Sequence, residues 1–501
     1  MSYARVHSAG LSGAAGTVVE VEVDVADGLP NLVLSGLPDA ALHEARDRVR
    51  AAIVNTGEEW PQRRITVNLR PATIRKQGSS FDLGIAVALL GGTGTLPLAP
   101  LEGVVLIGEL GLDGAVRSVR GVLPMVIAAA KAGLRRTIVP AANAVEAALV
   151  PGVQVRAAAS LSAVLRYVRD GVPLDVAAPR PARAATDSTV DLADVVGQDH
   201  AKLALEVAAA GGHHLSLLGP PGAGKTMLAQ RMPTILPPLD DTAAMEVTSL
   251  YSIAARLPAD AGLLRTPPFQ APHHTTSVSA LVGGGSGVAR PGALSLAHRG
   301  VLFLDELPEF GRHTLETLRQ PLEEGVVRLG RAYALVTYPA RVQLITAANP
   351  CPCARPGGDQ FCECGPGVRQ RYLNRLSGPL MDRIDIQVEL YPVTSVNLFA
   401  AAAGDDSART AARVAAARAA AAERWRAYGW RSNAEAAREA LALPPSAIRD
   451  LRHRIDAGLL SARGYVRVLR VAWSIADVAG RTSPDRDDVN TALGLRMGGA
   501  G

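Results

Sequence analysis

The string Gly219-Pro220-Pro221-Gly222-Ala223-Gly224-Lys225-Thr226 has the residue types and spacing of a phosphate-binding loop. Gly222 and Gly224 let backbone N–H groups wrap phosphates, and a helix opening at Lys225 adds the positive end of its dipole. Lys225 then reaches the β- and γ-phosphates of ATP, and the Thr226 hydroxyl ligates Mg²⁺. Further on, four apolar residues from Val301 to Leu304 end in Asp305 and Glu306. A buried parallel strand there delivers both carboxylates to its C-terminal edge, beside the phosphate loop. Asp305 is expected to hold Mg²⁺ through water and Glu306 to activate the attacking water. Asn349 ends a third apolar run, where it is placed to touch the γ-phosphate and that water.

Arginines follow. The stretch Arg375 to Asp385 supplies two, and an arginine reaching a neighbouring subunit's γ-phosphate raises rates roughly 10³- to 10⁵-fold. Arg383 is expected in that role; the alternative is simple pairing with Asp382 or Asp385. Arg463, Arg467 and Arg470 recur at helical spacing near the end of the chain. From a lid, Arg463 or Arg467 can point at the nucleotide.

Cys351, Cys353, Cys362 and Cys364 are the only cysteines and fall in one short window. Four thiolates suit tetrahedral zinc, although C-x-C is tighter than the commoner C-x₂₋₄-C. The alternative is four reduced thiols in a Pro/Gly-rich surface insertion. The segment Glu324–Arg341 reads as two alternating strands around Leu329-Gly330-Arg331, with Arg328 and Arg331 at the tip to grip DNA phosphates. A solvated hairpin with ordinary arginines is the alternative. His273 and His274, with Gly283–Gly285, suggest a second DNA-facing loop; as metal ligands they lack partners.

The elements that must position these residues fall into three blocks. Residues 1–170 alternate strands (18–25, 64–69, 104–108) with helices (42–54, 81–90, 122–132). Residues 171–190 are rich in Pro and Ala and read as a linker. Residues 191–395 form a second α/β block with strands at 214–218, 301–304 and 342–347, the Cys₄ insertion occupying 351–364. Residues 396–501 turn helical (408–425, 445–457, 462–479, 484–493). In composition the chain is 48% hydrophobic, 20% charged and 4% aromatic over 501 residues, a globular balance with an aliphatic core. No apolar run approaches the roughly 18 residues of a bilayer span, and no secretory signal opens the chain, so a cytoplasmic location is expected. Net charge is +5, which does not by itself demand a nucleic-acid partner.

Phosphate loop, acid-pair strand, Asn sensor, arginine finger and helical lid together resemble the AAA+ ATPases. Val196-Gly-Gln-Asp199, Ala271-Pro-His-His-Thr275, Leu296-Ala-His-Arg-Gly300, Leu318-Arg-Gln-Pro-Leu-Glu-Glu324, Asn349-Pro-Cys-Pro-Cys353 and Arg375-Leu-Ser-Gly-Pro-Leu-Met-Asp-Arg-Ile-Asp385 are similar to the magnesium-chelatase-like YifB/ComM family. The resemblance spans essentially the whole chain. It implies an α/β chain with a Lon-protease/S5-like N-terminal domain, an AAA+ core on a parallel sheet and an all-α lid. It also implies ATP, Mg²⁺, a homo-hexameric ring, single-stranded or branched DNA as partner alongside recombination proteins, and branch migration as activity. A chelatase-type ATPase that remodels a protein for metal insertion is the rival. Lys76-Gln-Gly-Ser-Ser80 resembles the loop of the Lon nucleophile, but the helix position expected to carry the activating lysine holds Leu123. Lys131 lies about 12 Å further along that helix. A Lon-like protease is therefore disfavoured.

Overall fold

The structure is a computed structural model that describes residues 2–35, 39–71, 78–180, 190–258, 260–285, 289–331, 334–355, 362–376, 378–392 and 405–497. Lys76, residues 181–189 of the linker and residues 396–404 of the helical block lie outside them.

The first unit is built on an eight-stranded sheet: β1 (Ser2–Ser12), β2 (Ala15–Ala26), β3 (Asn31–Ser35), β4 (Arg64–Arg70), β5 (Val104–Leu106), β6 (Arg136–Pro140), β7 (Gln154–Ala158) and β8 (Asp175–Val176), in the order β8-β7-β6-β5-β1-β2-β4-β3. β1 and β2 form a long antiparallel hairpin from Ser2↔Val25 to Ser12↔Ala15. Period-two alternation sorts side chains to two faces. Val104 and Leu106 join one core with α1 (Asp39–Asn55), α2 (Asp82–Gly92) and α4 (Leu161–Asp170), while Val105 and Ile107 join another with α3 (Val122–Lys131). Val176 pairs with Arg156, so the start of the expected linker belongs to this sheet.

The second unit carries a five-stranded, all-parallel sheet with helices around it. In chain order it comprises α5 (Asp199–Gly211), β9 (Leu215–Leu218), α6 (Lys225–Ile235), α7 (Asp241–Ile253), β10 (Phe269–Gln270), α8 (Val278–Val282), β11 (Val301–Leu304), α9 (Arg319–Glu324), the hairpin β12 (Val326–Arg331) and β13 (Ala334–Pro339), β14 (Gln343–Ala348), α10 (Pro366–Leu373) and β15 (Ile386–Glu389). The sheet order is β10-β11-β14-β9-β15. β11 and β14 are buried at every position, as parallel strands covered on both faces are.

The lid is helical: α11 (Ser407–Arg424), α12 (Arg449–Asp456), α13 (Ala462–Val478) and α14 (Arg486–Met497). α12 starts at Arg449, later than the sequence suggests. Pro444 and Pro445 supply no N–H, and the chain makes a turn from the Pro444 carbonyl to Ala447 N before entering the helix. Lid and sheet share one apolar core, in which Val468, Leu469 and Ala472 meet Ala204, Leu205 and Ala208 of α5.

The first unit rests on the second through α3 and the β1–β2 turn. Ser252 of α7 accepts from Gly121 N at its carbonyl (3.3 Å) and donates from Oγ to Glu146 (2.5 Å). Leu11 and Ala14 pack on the core beneath the β12–β13 hairpin.

Candidate functional site

Three parallel strands end at one edge, and each delivers part of the site. The phosphate loop leaves β9 and enters α6, with Gly222 at φ +78° and Gly224 at φ +92°, left-handed backbone that glycine adopts at no steric cost. Lys225 is buried, and its Nζ donates to the Gly219 carbonyl (2.6 Å), the Pro220 carbonyl (2.9 Å) and Asn349 Oδ1 (2.9 Å). Burial pushes the Lys225 amine below its ordinary range, against the charges of Asp305 and Glu306. Thr226 Oγ1 donates to Asp305 Oδ2 at 2.8 Å, and Asp305 Oδ1 accepts the Glu306 backbone N–H at 2.9 Å. The residues expected to handle phosphate, metal and water therefore converge from three chain segments.

Two residues join this group that the sequence did not assign to it. His274 Nδ1 lies 3.1 Å from Glu306 Oε2. The sequence suggested a DNA-facing loop for His273 and His274; the structure places His274 beside the acid pair, because β10 pairs with β11 and their C-terminal ends are neighbours. His273 Nδ1 stays local, 2.8 Å from Thr275 Oγ1. Gln198, held at φ +57° before α5, donates to the Ala223 carbonyl (3.3 Å) and the Tyr391 carbonyl (2.5 Å), bracing the phosphate loop from the side. Only the string Val196-Gly-Gln-Asp199 hinted at it.

Arg383 sits elsewhere. Ile386 pairs with Leu215 at the start of β9, whereas the phosphate loop leaves β9 after Leu218. Arg383, just before Ile386, thus lies at the opposite end of the strands from the phosphate loop, which leaves β9 three residues, about 10 Å, beyond Leu215. Its side chain is 12% exposed and pairs with Glu323 of α9. Of the lid arginines, Arg463 is exposed on the first turn of α13, while Arg467 pairs with buried Asp385.

The four cysteine sulfurs lie within 4.8 Å of one another, with Cys351–Cys353 at 3.1 Å, Cys351–Cys362 at 3.3 Å and Cys353–Cys362 at 3.6 Å. Ligands about 2.3 Å from a tetrahedral zinc stand about 3.8 Å apart, so the donor set fits that ion. The Cys364 backbone N–H pulls the Cys362 thiol down to about 6, favouring the thiolate that metal binding needs.

The hairpin expected to carry DNA contacts is present, but its reversal falls later. Gly330 pairs with Leu335 inside the ladder and Arg331 ends β12 opposite Ala334, because nothing forces a turn at a glycine that the strand accommodates. Residues 332–333 and the side chain of Arg331 lie outside the description. Arg328 is half exposed and pairs with Glu324. In the first unit, Ser80 is 4% exposed and its hydroxyl donates to the Ala9 carbonyl at 2.9 Å, while Leu123 is fully buried. Ser80 thus faces a carbonyl where a nucleophile needs a base.

Comparison with known proteins agrees with this layout. Residues 191–398 match the family described as magnesium chelatase, subunit ChlI; residues 21–143 match subunit ChlI of Mg-chelatase; residues 404–496 match the ChlI C-terminal family. The chain is 51% identical to an uncharacterised protein of Mycobacterium tuberculosis over 506 residues, covering all of both chains. It is 41% identical to YifB of Salmonella typhimurium (99% of this chain, 97% of that one) and 39% identical to the competence protein ComM of Haemophilus influenzae (99% and 98%). A shorter stretch, 27% of this chain, is 29% identical to Lon protease 2 of Thermus thermophilus, covering 18% of that protein. No helix among the described residues is long and apolar enough to cross a membrane.

Proposed function

Since the chain belongs to the YifB/ComM family of magnesium-chelatase-like AAA+ ATPases, we propose that it is a ring-forming motor, a homo-hexamer, that uses ATP hydrolysis to move on single-stranded or branched DNA. The observation that carries the hydrolytic part is the convergence of Lys225, Thr226, Asp305, Glu306 and Asn349 at one sheet edge. Lys225 exchanges its two loop carbonyls for the phosphate oxygens of ATP. Thr226 and Asp305 would hold Mg²⁺, which neutralises charge on the β- and γ-phosphates. Glu306 accepts the proton of the attacking water, and Asn349 fixes that water against the γ-phosphate. Arg383, at the far end of the strands, serves the ATP of a neighbouring subunit, and Arg463 reaches the subunit's own nucleotide from the lid.

DNA as cargo is supported by the full-length similarity to a competence protein and by the β12–β13 hairpin, where Arg328 and Arg331 would meet phosphates. Branch migration during recombination, in the cytoplasm, is the activity this reading implies. The four cysteines hold a structural zinc that staples the insertion after β14. The first unit acts as a non-catalytic module of the ring. The experiment is the ATPase rate of the purified chain alone and with single-stranded, duplex and four-way DNA; no stimulation by any of them overturns the DNA reading. A chelatase-type remodeller of a protein partner is the second reading, favoured by the three chelatase families matched; such a protein hydrolyses ATP at a rate indifferent to DNA.

A further inference from the structure

The segment Arg383–Asp385, which leads into β15, is gripped by the lid. Arg467 of α13 donates from Nη1 to the Arg383 carbonyl at 3.0 Å and also pairs with the Asp385 carboxylate. Arg496 of α14 donates to the Ile384 carbonyl. Three consecutive residues are therefore tied to two lid arginines. The second Asp385 oxygen accepts the His214 backbone N–H at 3.2 Å and lies 3.6 Å from His213 Nδ1. His213 is fully buried, with Nε2 2.7 Å from Ser474 Oγ on the same helix α13. Gly211 shows how tight this joint is: a Cβ there would stand 2.1 Å from His213 Nε2 and 2.2 Å from Ser474 Oγ.

A buried ion pair stripped of one partner leaves an uncompensated charge at high cost, so the lid and this segment move together. α13 is also one uninterrupted helix. Arg463 precedes Arg467 by a turn, about 6 Å along the axis. One end of the helix is thus available to the subunit's own nucleotide, and the next turn holds the segment that carries Arg383. The Arg383 side chain meanwhile rests against Glu323, 12% exposed, so reaching a neighbour requires the segment to shift.

We infer that Arg467 and Arg496 are positioning residues that transmit the lid's orientation to Arg383. When the lid closes on a subunit's own ATP, α13 draws residues 383–385 with it and presents Arg383 to the ATP of the next subunit. Binding at one site thereby arms its neighbour. The inference rests on the reading of Arg383 given above.

Mixed rings of the full-length chain test it. Arg467→Ala should keep ATP binding within about twofold, read with a fluorescent ATP analogue, while turnover falls at least about tenfold, an effect of the size that loss of a positioned charge produces. Mixed with Glu306→Gln under conditions of subunit exchange, Arg467→Ala should regain turnover, because its intact acid receives the intact Arg383 of the partner subunit. Mixed with Arg383→Ala it should stay inactive, because both variants withhold the same group. The reverse pattern, rescue with Arg383→Ala and none with Glu306→Gln, places the defect in its own site and overturns the inference; so does wild-type turnover. The control mixture of Arg383→Ala with Glu306→Gln tests the underlying reading: no rescue there overturns the role of Arg383 and the inference with it. Should Arg467→Ala fail to fold by circular dichroism, Arg467→Lys and Arg496→Ala are read in the same mixtures against the same two patterns.

Discussion

His274 Nδ1 and Glu306 Oε2 stand 3.1 Å apart, although 32 positions separate them in the chain. The pairing follows from β10 lying beside β11, and the His274 ring is held in turn by His273 at 4.0 Å and the edge of Phe310 at 6.5 Å. Glu306 itself adopts φ +50°, a left-handed backbone that costs a non-glycine residue roughly 1–2 kcal/mol. Its carboxylate is thus engaged by the protein before any water is activated.

His274→Ala should change turnover more than nucleotide affinity. Removing the imidazole frees the carboxylate of a competing partner, and a half-exposed pair of this kind is worth less than about 1 kcal/mol. A rise in kcat of about two- to fivefold is expected. Steady-state ATPase assays check it; a fall to the level of Glu306→Gln would show that His274 instead supports the proposed base.

Lys225→Ala should abolish tight ATP binding, since the only ammonium in the phosphate loop is lost. Glu306→Gln should bind ATP and retain it, with turnover down about 10²- to 10⁴-fold, the usual value of a positioned proton acceptor. Filter-binding and single-turnover measurements distinguish the two. Wild-type hydrolysis by Glu306→Gln would remove Glu306 from the proposed mechanism.

Purified protein should carry about one zinc per chain, held by the four thiolates. Cys362→Ser should lose it and lower the melting temperature. Protein never exposed to chelator that contains no zinc by elemental analysis would leave the cluster as four thiols.

Stability should fall on acidification between about pH 6.5 and 4. Burial holds His214 and His298 down to about 4, and each ring accepts a backbone N–H at Nδ1, from Leu344 and Arg341 respectively, at 3.0 Å. The neutral rings are therefore favoured by the fold. The unfolded chain binds the extra protons first, so the contribution is complete above the unfolded value near 6.5 and is lost as pH falls towards 4. At about 1.4 kcal/mol per unit, each histidine contributes at most roughly 3 kcal/mol. Thermal melts across this range should show a shallower slope in His298→Gln than in wild type.

Arg328→Ala should weaken binding to single-stranded DNA without changing its sequence preference, because a phosphate contact carries no base information. The slope of log K against log salt should become shallower by roughly one. An unchanged slope would take Arg328 off the DNA path.

What the residues alone determined is local. The phosphate loop, the acid pair ending an apolar strand and the four cysteines each fall within fourteen residues or fewer, so spacing specifies the chemistry before the chain folds. Alternation in 18–25 and the unbroken apolar run 301–304 likewise specify strand type, because side-chain period follows from backbone geometry. Tertiary structure decided what depends on which strands become neighbours. Strand order put His274 on Glu306, and parallel register put Arg383 at the end of the strands away from Lys225. Lid packing gave Arg467 to Asp385 and left Arg463 exposed, a choice that helical spacing treats as equal. Even the hairpin turn moved past Gly330, since a glycine permits a reversal without requiring one. Pairings across long sequence separations are set by burial and strand order, and neither is encoded in the spacing of nearby residues.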